Sequence, residues 1–95
     1  MKLKIFGVNV PIYKQKGLSE STDWCGYYDP LKRKIVIDAD LSKEELEITI
    51  LHETLEAMWE RGSFGLAVNN DTKEIIIDQI SKCLCENYTF KFKKV

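Results

Sequence analysis

A chain of 95 residues has room for one compact domain, 1–95, and not for a second core. Its 44% hydrophobic and 31% charged side chains exclude a disordered tract or a membrane-embedded bundle, and 14 basic against 15 acidic groups, net -1, predict no general attraction to nucleic acid or an anionic membrane. No apolar run approaches the roughly 20 residues of a membrane span and no signal-like core opens the chain, so it is expected to stay in the cytoplasm.

Residues 2–14 alternate polar and apolar side chains on either side of Gly7, as a half-buried strand or tight hairpin does. Pro11 lacks an amide proton and belongs on an edge or at a bulge. From Gln15 to Asp23 the chain is polar and reads as a surface loop. Residues 24–28 predict a second strand, stopped by Asp29-Pro30, and residues 33–38 a third after a short turn. The local basic stretches, residues 32–34 and 91–94, read as solvated surface.

Ser42-Lys43-Glu44-Glu45 is a capping box that opens a helix running to about Arg61 and ending near Gly62. Ile48, Leu51, Leu55, Met58 and Trp59 form its apolar stripe, widened by Leu46, Ile50 and Ala57. After a glycine-containing connection, Asn70 or Asp71 caps a second helix, with Glu74 as capping-box partner and Ile76, Ile80, Cys83, Leu84 and Asn87 as its inner face. The tail, 89–95, alternates Phe90 and Phe92 with lysines and adds a final strand or packs loosely. The expected fold is α+β, a small twisted antiparallel sheet of about three strands packed on two helices. Three cysteines, an odd number, suit a reducing compartment. Cys83 and Cys85 turn about 200° apart on a helix and read as buried thiols, leaving Cys25 as a candidate site-lining thiol.

The chemistry concentrates at residues 50–57. His52, the only histidine, stands one helical turn before Glu56 on the same face, while Glu53 projects about 100° further round. In the H-E-x-x-H helix of zinc peptidases two imidazoles bind the metal and the first glutamate is the general base. Here a carboxylate, itself an acceptable zinc ligand, replaces the second imidazole. The plainer reading makes His52 a satisfied core residue and the glutamates surface helix formers. Yet Glu56 lies in the most apolar stretch of the helix, and a buried carboxylate needs a partner, which protonated His52 can be. Trp24, Tyr27, Tyr28 and Trp59 read as core and cleft lining.

The order Lys-Ile-Phe-Gly at 4–7, Gly-Tyr-Tyr-Asp-Pro at 26–30, Ile-Val-Ile-Asp at 35–38, Leu-Ser at 41–42 and Thr-Ile-Leu-His-Glu-Thr-Leu-Glu-Ala at 49–57 resembles the small zincin-like metallopeptidases of bacteriophages and mobile elements. These are distant relatives of the ImmA/IrrE-type zinc peptidases. The likeness extends to Leu84-Cys85-Glu86-Asn87 in the last helix, although only the His-Glu stretch is specific. It implies a minimal zincin-like fold, host-cell cytoplasm as location, His52 and Glu56 as metal ligands, Glu53 as base, and a third ligand from the start of the next helix. The subgroup of that family with His-Glu-x-x-Glu often has a histidine near Asn69 or Asn70; this chain has no second histidine, which leaves Asp71, Glu74 or Asp78 to supply a carboxylate.

One imidazole and two carboxylates make a hard, anionic site suited to Mn²⁺ or Mg²⁺ as readily as Zn²⁺, weakly bound or absent. A peptidase of this kind would take a protein or peptide substrate along residues Gly26, Tyr27 and Tyr28 at the cleft edge, with Tyr27 or Tyr28 donating to the oxyanion. The alternative is a zincin-fold protein without catalysis that binds a partner, such as a host-defence protein.

Overall fold

The computed structural model describes residues 1–91. Phe6 and Gly7, both at positive φ (47° and 82°), form the two-residue turn between β1 (Lys2–Ile5) and β2 (Val8–Gln15), a geometry that matches the twist of an antiparallel hairpin. The far half of β2 runs beyond β1 and pairs in parallel with β4 (Lys34–Asp38). On its other side β4 pairs antiparallel with β3 (Gly26–Asp29), giving the order β1-β2-β4-β3. The α+β class holds, but the sheet has four strands and is mixed, not an antiparallel meander of three. The excursion through residues 16–33 carries the chain back to the start of the sheet, so β4 runs in the direction of β2. Alternating polarity looks the same in either kind of ladder.

Part of that excursion is helical. The segment expected to be a loop contains α1 (Leu18–Thr22), whose Leu18 is buried against the outer face of the sheet. Asp38, at the end of β4, accepts hydrogen bonds from the amides of Ser19 and Asp40, both at 3.0 Å. The bonds from Ser19 and Asp40 hold its carboxyl below the usual range. β4 is therefore buried on both faces, Ile35 and Ile37 toward the helices and Val36 and Asp38 toward α1.

The helix α2 (Lys43–Arg61) starts at the capping box, in which the Glu45 amide donates to Ser42 Oγ and the Ser42 amide donates to Glu45 Oε2. It crosses the inner face of the sheet, and Ile50 and Ala57 join Ile5, Val10, Ile12, Ile35 and Ile37 in one apolar core. Its most buried line is Thr49, Ile50, Glu53 and Ala57, whereas the expected stripe of Ile48, Leu51, Leu55, Met58 and Trp59 is half-buried. A second helix covers another side of α2, so burial is spread around it instead of confined to one stripe.

That helix, α3 (Asn70–Asn87), follows a 3-10 turn (Phe64–Leu66) and packs mainly on α2. Asn69, one residue earlier than expected, is its cap, accepting from the Thr72 amide. Glu74 thus falls outside the capping box and is free to face α2. The buried residues are Ile77 and Ser81, while Ile80 and Cys83 are exposed, so the inner face is rotated from the expected one. Ser81 tolerates complete burial because its hydroxyl donates to the Ile77 carbonyl at 2.7 Å. The cysteines are not buried thiols either: Cys25 and Cys83 are exposed and Cys85 half-buried. Residues 89–91 form no strand, and the remainder of the expected tail strand, with Phe92, lies outside the described residues. Among the described residues no helix is long and apolar enough to cross a membrane.

Candidate metal centre

Capping fixes where α2 and α3 begin, and the connection between them turns the start of α3 back along the second half of α2. Residues one turn apart on α2, His52 and Glu56, therefore meet Lys73 and Glu74 of α3. His52 Nε2 lies 3.7 Å from Glu56 Oε1, and one ligand atom each from His52, Glu56 and Glu74 fall within 4.8 Å of one another. Of the three carboxylates considered for a third ligand, Glu74 is the one brought to this cluster. Asp71 is exposed in the first turn of α3, and Asp78 pairs with Lys82 at 3.1 Å.

Glu53 is the buried acid of the site, not Glu56. It is 6% exposed, and among the described residues nothing donates a hydrogen bond to its carboxyl. Burial, reinforced by the neighbouring charges of Glu56 and Glu74 and opposed by Lys73, pushes its pKa up to about 7. Glu56 is satisfied by a residue that sequence reasoning missed. Lys73 Nζ stands 3.0 Å from Glu56 Oε2 and 3.2 Å from Glu74 Oε1. Burial alone would lower the Lys73 pKa, but the bonds and charges of the two glutamates outweigh it and raise it. The only signal in the sequence was a lysine beside Glu74, which is too common to single out.

Glu53, Glu56, Lys73 and Glu74, but not His52, line a groove of about 730 Å³ between β3, α2 and the start of α3. Trp24, Gly26, Tyr27, Tyr28 and Trp59 contribute to its walls, and Trp24 is largely exposed and so no part of the core. Trp59, on the groove wall, stacks on Phe64 with ring centroids 4.9 Å apart. A smaller recess of about 300 Å³ on the other side of Glu53 is lined by His52, Glu53 and Cys25, so the candidate site-lining thiol does reach the neighbourhood.

Pairing with β4 separates the two tyrosines. Tyr28 shares the helix-facing side with Ile35, and its hydroxyl donates to Glu60 Oε2 at 3.1 Å; burial first and then Glu60 raise its pKa. Tyr27 aligns with Val36 on the opposite side, edge-on to Trp24. Its main chain, not its ring, is what the strand edge can present. Among the described residues β3 is an edge strand, with β4 as its one neighbour in the sheet.

Gly26 contributes by what it lacks. A Cβ there would stand 2.8 Å from Thr49 Cγ2 and 2.9 Å from the Val36 carbonyl oxygen. The bare backbone lets α2 seat on the sheet one turn before Glu53. Gly26→Ala is expected to cost about 1–3 kcal/mol of stability, read by urea unfolding, because a backbone carbonyl cannot move aside as a side-chain tip can.

No protein-family model matches the chain, and no curated protein or solved structure matches it. What the groove does has therefore to be argued from its own residues.

Proposed function

We propose that the protein is a metal-dependent hydrolase of peptide bonds, with His52, Glu56 and Glu74 as ligands and Glu53 as the acid–base. The observation that carries this reading is Glu53: a buried carboxyl with no hydrogen-bond donor among the described residues, a pKa of about 7, and a place on the wall of a groove beside three clustered donor groups. Neither carboxyl oxygen is among the fully buried atoms without a partner, so the acid is open to water at the groove wall. The donor set fits a divalent cation, since an imidazole and two carboxylates within 4.8 Å need only small rotations to share one.

A divalent cation, when bound, supplies Lewis acidity toward water and toward the carbonyl oxygen, although a shell with two carboxylates acidifies water less than one of three imidazoles. The protein's own part is proton transfer and alignment. With a pKa near the working pH, Glu53 takes a proton from water and returns it to the leaving amine. An extended substrate would pair with the free edge of β3 through main-chain hydrogen bonds, which fixes its scissile bond against α2. Tyr28 is the better placed of the two tyrosines to donate to an oxyanion, on release from Glu60.

The test is elemental analysis of purified protein together with cleavage of an unstructured protein substrate. One equivalent of metal is expected, with a loss of at least about 100-fold in cleavage rate in Glu53→Gln while the metal is retained. No metal and no cleavage at micromolar zinc would contradict the reading. One observation favours the alternative of a non-catalytic, partner-binding protein: Lys73 already neutralises both candidate carboxylate ligands.

A further inference from the structure

We infer that Lys73 is a cation the site holds for itself, and that a divalent metal binds by exchange with it, which makes Lys73 the residue that sets which metals enter. This deepens the hydrolase reading and rests on it. The two oxygens nearest the Lys73 ammonium, Glu56 Oε2 at 3.0 Å and Glu74 Oε1 at 3.2 Å, belong to two of the three candidate ligands. The Lys73 and Glu56 side chains are each 18% exposed and pack together in the cleft, while Glu74 closes the pair from its 56% exposed position. Without it Glu56 and Glu74 would face each other uncompensated, with Glu53 buried beside them. The metal-free site is thus stable because Lys73 fills it.

Lys73 stands on Glu56 Oε2 and Glu74 Oε1 while His52 Nε2 faces Glu56 Oε1, so a metal that draws an oxygen of each glutamate together beside His52 competes with the ammonium for the same two carboxylates. The entering metal must displace Lys73, and the charge it gains is reduced by the charge it expels. His52 decides when exchange succeeds. Its Nε2 is 3.7 Å from Glu56 Oε1 and near the third ligand position, so a metal takes a nitrogen donor that an ammonium does not use. Zinc, which binds imidazole well, gains most from that third donor. Magnesium prefers oxygen, gives up its waters reluctantly and gains least. The order expected in the wild-type protein is zinc over manganese, with magnesium excluded.

The experiment is zinc and magnesium titration at pH 7 and fixed ionic strength, by competition with a chromophoric chelator for zinc and by calorimetry for magnesium, in wild type and Lys73→Met. A tenfold or greater fall in the zinc Kd, with magnesium binding appearing in the variant, is expected. In ¹⁵N-lysine-labelled wild type, the protected Lys73 ammonium resonance should vanish on one equivalent of zinc, a readout that does not depend on how well the variant folds. Equal zinc affinity in the two proteins, or a resonance that persists in the zinc-loaded wild type, overturns the exchange while leaving the hydrolase reading intact. Zinc bound by Lys73→Met alone overturns the exchange, because Lys73 then shuts metal out of the wild type, and it also counts against a metal-dependent activity there. Zinc bound by neither overturns both.

Discussion

Glu53→Gln is expected to make the metal-free protein more stable at pH 8 by about 2 kcal/mol, the same variant for which the proposed activity predicts a loss of at least about 100-fold in cleavage rate. The sign follows from the direction of the shift. Glu53 has a pKa of about 7 in the folded protein against an ordinary 4.5. Between those values the folded state keeps a proton that the unfolded chain has released, so stability falls as pH rises through that window. Above pH 7 the folded protein carries an ionised buried carboxylate, at a cost on the order of 3 kcal/mol. Glutamine has nearly the same shape and no charge to bury, but it leaves an amide without partners, which takes back part of the gain. Urea unfolding of both proteins from pH 5 to pH 8 is the check. The curves should lie close together at pH 5 and separate toward pH 8, with the variant above. A variant less stable than wild type at pH 8 would mean that the Glu53 carboxylate is held by favourable contacts, and the case for a reactive group would fall.

His52→Ala is expected to lower zinc affinity by at least about 100-fold and to leave metal-free stability within about 1 kcal/mol of wild type. The histidine has little to lose in the absence of metal, since its pairing with Glu56 Oε1 is as long as 3.7 Å and its side chain is 29% exposed. With zinc at 100 times its Kd, binding to the folded state alone stabilises it by about 2.7 kcal/mol. Thermal unfolding with and without zinc should therefore show a clear rise in Tm for wild type and, at about 0.4 kcal/mol or less, a much smaller one for the variant. If His52 were simply a packed core residue, the substitution would cost stability equally with and without zinc.

The helix ends were legible because they are written in local chemistry. Ser42 with Glu45 marks the start of α2, Gly7 marks the hairpin turn, and Asp29-Pro30 ends β3. The parallel pairing of β2 with β4 was not legible, because it depends on the path of residues 16–33 and not on any residue within either strand. α1 escaped notice because its five residues are too few for a helical period, and Leu18 is its one buried side chain. The unbroken apolar run Ile35-Val36-Ile37 did carry a hint that β4 is covered on both faces. On α3, Ile75, Ile76, Ile77 and Ile80 offer apolar side chains in several directions. Docking on α2 selected Ile77 and hid Ser81, a choice that periodicity does not make.

The candidate site divides in the same way. His52, Glu53 and Glu56 follow from helical spacing on one element. Glu74, as the member of its trio that meets them, and Lys73, as their counter-ion, follow from how two helices dock. Burial falling on Glu53 instead of Glu56 also comes from docking, because the sheet covers one side of α2 and α3 another.

The claim beneath all of this is that His52, Glu56 and Glu74 converge on a divalent cation. Anomalous diffraction at the zinc edge, from crystals grown with zinc, tests it most directly. One peak is expected at about 2.0–2.2 Å from a His52 nitrogen and from an oxygen of each glutamate, with Lys73 withdrawn from between them. Density at full zinc loading that still shows Lys73 bridging Glu56 and Glu74, with no peak beside His52, would contradict it.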